Sequence, residues 1–204
     1  MLPSVAKKTR KIPDYLIYEE IDGKPIYYRG YQSVLNKKND LEGIMGSSAL
    51  QSYIIMTIIE FLLSKIDNQS YKLMTGELGL HLSHGNNLSA DIAIYERQVF
   101  INHFPDDKYS EISPRIVIEV DTKADFGNIT EADYYHNKTR KLLDFGVDLV
   151  VWFFSKSQKV MISRKDHKQW IITDWSEEVE VLGCTFSLTK LLEAEGLDLA
   201  AMGK

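Results

Sequence analysis

The spacing of apolar residues divides the chain into helical and extended segments. Between residues 47 and 65, apolar side chains recur every three or four positions, which is the spacing of one helix face. Gly46 and Ser47 are expected to cap this helix. A second helix is predicted over residues 130–145, ended by Gly146, and a third over residues 187–195.

The intervening segments have the short, β-branched patterns of strands. Asp22-Gly23 predicts a hairpin within residues 15–31. Two antiparallel strands, the first with a bulge at Gly76 or Gly79, are expected to meet in a turn at Asn86-Asn87. Residues 99–113 are predicted to be loop. The other predicted strands are residues 71–74, 78–82, 88–95, 115–121, 149–154, 160–163 and 170–173.

One segment is typical of a strand in the centre of a sheet. Residues 115–121 are almost continuously apolar, as expected for burial on both faces. A helix links them to a second buried strand, which predicts an α/β domain with a central mixed sheet flanked by helices. Residues 1–204 are interpreted as a single domain, with residues 1–14 as an arm and residues 15–45 as a hairpin extension.

Three acidic residues occupy strands that are predicted to be buried. Asp91 shares a strand face with Ala93 and Tyr95, and Glu119 shares one with Asp121. If the two strands are neighbours, these carboxylates converge near one edge of the sheet. Unpaired buried carboxylates are costly, so a divalent cation between them is the economical solution. Mg²⁺ is usually held by one or two carboxylates with water and phosphate oxygens.

Two lysines are candidates for the positive charge that phosphate chemistry needs. Lys138 lies within one turn of Tyr135 and Leu142, so its stem could be buried while its ammonium extends towards the sheet. There it could stabilise developing negative charge or position a water. Lys123, four residues after Glu119, is the alternative. The inward stripe of the helix is predicted to be Ala132, Tyr135, Leu142 and Leu143.

Each of these residues also has a purely structural interpretation. Asp91 could end a turn, and Glu119 and Asp121 could be strand-end residues in water. Lys138 could be an ordinary exposed helix lysine.

Composition narrows the possible functions only slightly. There are 24 Lys and Arg against 29 Asp and Glu, a net charge of −5, which excludes a protein that coats nucleic acid by charge alone. An enzyme with one local basic patch stays possible. The single Cys184 excludes an internal disulfide and Cys-rich zinc modules, and favours a reducing, cytoplasmic compartment. Residues 53–66 are too short and too polar to span a bilayer, so no membrane partner is expected.

Three segments resemble motifs of the Uma-type restriction endonuclease family, a branch of the PD-(D/E)XK nuclease superfamily. They are SADIAIY around Asp91, PRIVIEVDT around Glu119, and KTRKLLDFGVDLVVWF from Lys138. The opening YEEIDGKPIYYRGY and the helix over residues 46–66 are similar as well. The resemblance implies an α-β-β-β-α-β restriction-endonuclease-like core and hydrolysis of DNA phosphodiester bonds that depends on Mg²⁺ or Mn²⁺.

The resemblance also implies roles for individual residues. Asp91 and Glu119 would be metal ligands and Lys138 the catalytic lysine. Asp121 would support them or bind a second ion, and Glu77 would be a further ligand. Asp121 also marks a departure from the family pattern, because a lysine is expected at its position. The proline expected before Asp91 is Ala90.

Three interpretations of the function stay open at this point. The first is a DNA endonuclease, plausibly a homodimer, because two sites related by a two-fold axis suit cutting of both strands. The second is a catalytically inactive nuclease-fold module for binding or assembly. The third is an α/β domain whose carboxylates are structural.

Overall fold

The computed structural model describes residues 11–103, 107–127, 129–197 and 199. A 3₁₀ turn at Asp14–Leu16 precedes the first strand, and residues 1–10 of the predicted arm lie outside the described part. The helices are α1 Tyr31–Leu35, α2 Glu42–Met45, α3 Ala49–Lys65, α4 Arg97–Asn102, α5 Glu131–Phe145 and α6 Leu188–Ala194. The strands are β1 Ile17–Ile21, β2 Lys24–Tyr28, β3 Tyr71–Ser83, β4 Asn86–Glu96, β5 Ile116–Val120, β6 Ala124–Asp125, β7 Leu149–Phe154, β8 Lys159–Arg164, β9 Ile171–Asp174, β10 Val179–Val181 and β11 Cys184–Phe186.

The described strands form one large mixed sheet and a small separate hairpin. The order in the large sheet is β6-β2-β1-β4-β5-β7-β8-β9, with β3 also paired to β4. β5 and β7 are parallel and are linked by α5, whereas the other neighbours are antiparallel. The predicted fold class is confirmed: α3-β3-β4-β5-α5-β7 is the expected α-β-β-β-α-β order within a sheet flanked by helices.

Strand β4 is where the sheet divides. β3 pairs with β4 along almost its whole length, so β1 and β5 must share the other edge of β4. β5 pairs with β4 only at residues 92–94, and β1 pairs with β4 at Asn87. Between these two pairings lies a short stretch of β4 that has no strand partner on that edge. We call this gap, at residues 88–91, the fork of the sheet.

Apolar cores cover both faces of the sheet. One core contains Ile92, Ile118 and Val120 and packs against α3 and α6. The other contains Val117 and Trp152 and packs against α5. The alternation predicted for β5 is therefore confirmed, and all five of its residues are buried. A polar side chain on β5 accordingly has no direct route to bulk water.

Several local predictions differ from the structure. Ser48, not Gly46 or Ser47, caps α3 by accepting a hydrogen bond from the Gln51 amide. The turn between β3 and β4 lies at residues 84–85, because Gly85 adopts the required positive φ of 72°. Asn86 and Asn87 therefore belong to β4. Within the predicted loop at 99–113, residues 99–102 are the end of α4.

The inward face predicted for α5 also differs from the structure. The inward face of α5 consists of Tyr134, Lys138, Thr139 and Leu142, whereas Ala132 is exposed because it lies in the first turn, before the helix packs on the sheet. The hairpin β10–β11 was not predicted. The bulge expected at Gly76 or Gly79 is confirmed between Thr75 and Leu78.

No helix in the described ranges is long and apolar enough to cross a membrane.

Candidate active site

A buried lysine and a buried glutamate meet at the fork of the sheet. Glu119 is next to last in β5, one residue beyond Ile118, which is the last β5 residue paired with β4. The Lys138 ammonium reaches it from α5 at 3.0 Å from Oε1. The two side chains have 2% and 0% relative exposure. The ammonium also lies over the indole of Trp152, with Nζ 5.3 Å from the ring centroid. The ammonium is thus held against the sheet and away from solvent.

Glu19 on β1 completes the charge environment of Lys138. Its Oε1 lies 2.7 Å from the ammonium and also accepts hydrogen bonds from the amide and hydroxyl of Ser89, both at 2.9 Å. Its Oε2 accepts a hydrogen bond from the Tyr134 hydroxyl at 2.7 Å. Ser89 lies in the fork, so Glu19 satisfies a β4 amide that has no strand partner there.

Asp91, on β4, satisfies the backbone amide of Val120, on the β5 side of the fork. Its Oδ2 accepts a hydrogen bond from the Val120 amide at 2.8 Å. The carbonyl of Val120 accepts one from the Gln51 side chain of α3 at 2.7 Å. The backbone carbonyl of Asp91 accepts the hydroxyl of Thr75, at the bulge of β3. Asp91 is 6% exposed, so it too is fixed by neighbours rather than by solvent.

The ionisation of the cluster reflects one cation among several buried acids. Burial raises the pKa of the Glu119 carboxyl to about 8, although the nearby Lys138 lowers it. Burial also raises the pKa of Asp91, against the hydrogen bond from Val120 and the charge of Lys138. Burial lowers the pKa of Lys138, but the carboxylates of Glu119 and Glu19 outweigh this effect and raise it well above its usual value. Lys138 is therefore charged, and near neutral pH Glu119 competes for a proton or another cation.

The remaining predicted site residues lie beside this cluster. Asp121 follows β5 in a left-handed conformation, with φ at 55°, and its Oδ1 accepts a hydrogen bond from the Ser155 amide at 2.8 Å. Lys123 pairs with Glu77 of the β3 bulge and donates to the carbonyl of Met45. The structure therefore brings Asp91, Glu119 and Lys138 to the fork, and pairs Lys123 with Glu77 instead.

A groove opens next to the cluster. It has a volume of about 360 Å³ and is lined in part by Gln51, Asp121, Thr122, Arg29 and Lys156. Thr122 donates a hydrogen bond to the Tyr134 hydroxyl at 3.3 Å, and Gln51 bonds to Val120, so both connect the groove to the buried groups. The charged lining is mixed, because it contains the exposed Arg29 and Lys156 together with the acids Asp121 and Glu131.

The carboxylates of the cluster are of the kind that Mg²⁺ accepts as ligands. The described residues contain no cluster of three or more His, Cys, Asp or Glu side chains suited to a metal. Asp91 and Glu119 nevertheless supply the one or two carboxylates with which Mg²⁺ is commonly held. Glu119 Oε1 is buried and accepts no hydrogen bond from the described residues, since its contact with Lys138 is an ion pair without hydrogen-bond geometry. In the structure, the cation that faces this oxygen is the Lys138 ammonium, so a metal ion would have to share the carboxylate with it.

Sequence reasoning assigned no role to Glu19, Gln51 or Tyr134. Glu19 lies within YEEIDG, a segment that supported the family resemblance, and that was its only signal. Tyr134 precedes Lys138 by four residues, so the helical spacing could have placed both on one face. Gln51 is polar on the apolar side of α3, and it is only 6% exposed. A polar residue at a predicted core position is the signal that could have identified it.

Comparison of the fold with solved structures gives a match over most of the chain. A crystal structure from Anabaena variabilis, of a protein described as "a putative nuclease belonging to DUF820", superposes with a TM-score of 0.62 and 15% sequence identity. The match covers 86% of this chain and 89% of that one. At this identity the likeness shows a shared fold. No family model and no curated protein matches the chain.

Proposed function

We propose that the protein is a metal-dependent endonuclease that hydrolyses DNA phosphodiester bonds at the cluster of Asp91, Glu119 and Lys138. One observation above all supports this proposal: a lysine without solvent exposure holds its ammonium 3.0 Å from Glu119 at the fork that Asp91 also reaches. The fold shared with a protein described as a nuclease is consistent with it.

Each residue has a distinct part in the proposed reaction. Asp91 and Glu119 would hold Mg²⁺ or Mn²⁺, an ion that polarises phosphoryl oxygens and lowers the pKa of bound water. Lys138 would stabilise negative charge on the scissile phosphate, because its own charge is fixed by surrounding carboxylates. Glu19 and Tyr134 would keep the lysine in place. Asp121 would support the site from the groove or bind a second ion.

The test is cleavage of plasmid and of single-stranded DNA by the purified chain with Mg²⁺, Mn²⁺ or EDTA. We expect cleavage with either metal, a loss of about 100-fold or more in Asp91→Asn and Glu119→Gln, and a similar loss in Lys138→Met. Glu60→Gln, at an exposed acid of α3, should cleave like the wild type. Circular dichroism melting would show that each variant is folded. Unchanged cleavage in Asp91→Asn or Glu119→Gln would remove that residue from the mechanism.

A second candidate function is an inactive nuclease-fold module that binds or assembles with other molecules. It is favoured by the hydrogen bonds of Asp91 and Glu19, which satisfy the unpaired Val120 and Ser89 amides of the fork and so give both acids a structural task. Titration calorimetry separates the two functions. The enzyme should bind Mn²⁺ in the wild type and lose that binding in Asp91→Asn, whereas an inactive module should show no binding that depends on Asp91.

A further inference from the structure

A second positively charged surface lies on α5, away from the buried cluster. It is a groove of about 630 Å³ beside the segment that joins β8 to β9. Its ionisable lining consists of Arg140, Lys165, Lys168, His136 and His167, against the single acid Asp144. In a chain with a net charge of −5, this concentration of basic side chains is a local exception. We call it the basic groove.

The cations of the basic groove are not neutralised by the protein itself. Arg140, Lys165 and Lys168 are exposed, and within the described ranges their side chains form no ion pair or hydrogen bond. Basic residues next to them in the sequence behave differently. Lys141 pairs with Asp22, and Arg164 lies 3.9 Å from Glu180. The free positive charge is therefore concentrated on the groove side of these elements.

An aromatic pair forms one wall of the basic groove. The rings of His136 and Trp170 lie with their centroids 4.8 Å apart and their planes at 34°. Trp170 is half-buried, whereas Trp152 and Trp175 are buried in the cores. Trp170 is thus the one tryptophan of this chain with a surface available to a ligand. Aromatic rings beside a positively charged groove are the combination that binds nucleic acid strands.

The groove and the buried cluster face opposite sides of α5. Lys138 points towards the sheet, and His136 and Arg140 lie two residues before and after it. At 3.6 residues per turn, a step of two places them on the other side of the helix. A phosphate in the basic groove is therefore not the phosphate that Lys138 faces. The groove is suited to a part of the strand remote from the scissile bond.

We propose that the basic groove binds the sugar–phosphate backbone of DNA and holds the substrate at a distance from the bond to be cut. Arg140, Lys165 and Lys168 contact phosphates, and Trp170, backed by His136, contacts a base or sugar. This inference rests on the proposed nuclease function and names the surface that recognises its substrate.

The test measures binding separately from cleavage. Fluorescence anisotropy of a labelled DNA oligonucleotide in EDTA gives Kd at several salt concentrations for the wild type and for the triple variant Arg140→Gln, Lys165→Gln and Lys168→Gln. We expect Kd to rise at least about tenfold and the slope of log Kd against log salt to fall by about 2 to 3. The matched control replaces the exposed Lys24, Lys38 and Lys65 by Gln. It makes the same change in net charge and should alter Kd less than about twofold.

Tryptophan fluorescence gives a second readout. DNA should quench the emission of the wild type, and Trp170→Phe should lose that response because Trp152 and Trp175 are buried. An unchanged Kd in the triple variant, or equal losses in the control, would overturn the inference. If DNA binds through the groove but is never cleaved, the groove assignment survives and the nuclease proposal fails. If DNA is cleaved but the triple variant binds it as the wild type does, the groove assignment fails and the nuclease proposal survives.

Discussion

Glu19 is the residue on which the charge balance of the cluster depends. It is one of two carboxylates in contact with Lys138, and it accepts hydrogen bonds from Ser89 and Tyr134 as well. These partners lie on β4 and α5, and Glu19 itself lies on β1, so one side chain ties three elements together. Replacing Glu19 should therefore lower the stability of the fold.

We expect Glu19→Gln to lower the free energy of unfolding by about 3 kcal/mol, because it removes one partner of a buried ion pair. Urea unfolding followed by circular dichroism measures this change. Glu20→Gln is the matched control. Glu20 is half-buried and accepts from the Asn87 side chain at 3.1 Å without contacting Lys138, so its replacement should cost less than about 1 kcal/mol. Equal effects of the two substitutions would show that the Glu19–Lys138 contact adds no stability.

The raised pKa of Glu119 predicts a specific dependence of stability on pH. Its pKa is about 8 in the folded protein, against 4.5 as the ordinary value. Between these two pH values the folded state binds more protons than the unfolded state, so this group makes stability fall as the pH rises. Glu119→Gln removes that dependence. Relative to the wild type, the variant should gain stability from pH 5 to pH 9, by an amount that follows from about 1.4 kcal/mol per pKa unit. Parallel stability curves would contradict the assignment.

At the level of residues, sequence reasoning found positions but not their partners. Asp91 and Glu119 could be singled out because an acid on a buried strand is conspicuous. Helical spacing made Lys138 one of two candidate lysines, and the family resemblance favoured it over Lys123, because a lysine on an amphipathic helix is ordinary. Its contact with Glu19 spans 119 positions of sequence. No local pattern encodes a contact of that range, which is why Glu19 had no predicted role.

Two turns hold the first hairpin against the rest of the sheet. The amide of Gly23, in the β1–β2 turn, donates to the carbonyl of Gly85, in the β3–β4 turn, at 2.8 Å. The amide of Asp22 donates to the Asn86 side chain at 3.0 Å. Because β1 carries Glu19, this contact between turns helps to set the position of that carboxylate beside Lys138.

We expect Gly85→Ala to destabilise the protein more than Gly183→Ala. Both glycines have positive φ, 72° and 75°, so both substitutions strain the backbone. A Cβ at Gly85 would also lie 2.9 Å from the Gly23 amide nitrogen, whereas one at Gly183 meets nothing within 4 Å. The extra crowding should add about 1 to 3 kcal/mol, measurable by urea unfolding. An equal cost at both positions would show that the two turns separate freely.

Elements were predicted better where the local chemistry decides them. The bulge in β3 follows from glycine, and α5 begins at a Thr130–Asp133 capping box and ends at Gly146 as its sequence indicates. The sequence predicts the β3–β4 turn at Asn86-Asn87, two residues after its observed position at 84–85, because two asparagines are an equally good turn signal. The position of the turn is set by the register of β3 against β4, and that register depends on pairing along the whole of β4.

At the scale of the whole molecule, the order of elements predicts the fold class but not the arrangement of the sheet. The α-β-β-β-α-β succession could be derived from periodicity. The division of one β4 edge between β1 and β5 could not, since it depends on which distant strands fill that edge. The fork, and with it the setting of the candidate site, is a tertiary feature.

The homodimer stays a prediction, and the structure offers a surface for it. β9 is the last strand of the described sheet, and its Ile171 and Ile172 are 59% and 66% exposed. An unpaired apolar edge strand is suited to pairing with a second copy. We expect sedimentation to give twice the mass of the chain, and Ile172→Lys to give a monomer. Ile101→Lys, at an isoleucine that is 52% exposed on α4, should leave the dimer intact. A wild-type monomer would contradict the prediction.

The contact between Glu19 and Lys138 has a consequence for biosynthesis. As the ribosome extends the chain, Glu19, Asp91 and Glu119 emerge in turn, and Lys138, whose ammonium pairs with Glu19 and Glu119 in the described part of the fold, follows last. Until α5 has been translated, closing the fork would bury acids without a counter-charge. Incomplete chains that stop before Lys138 are therefore expected to stay open, and any nuclease activity is confined to chains that have passed this point.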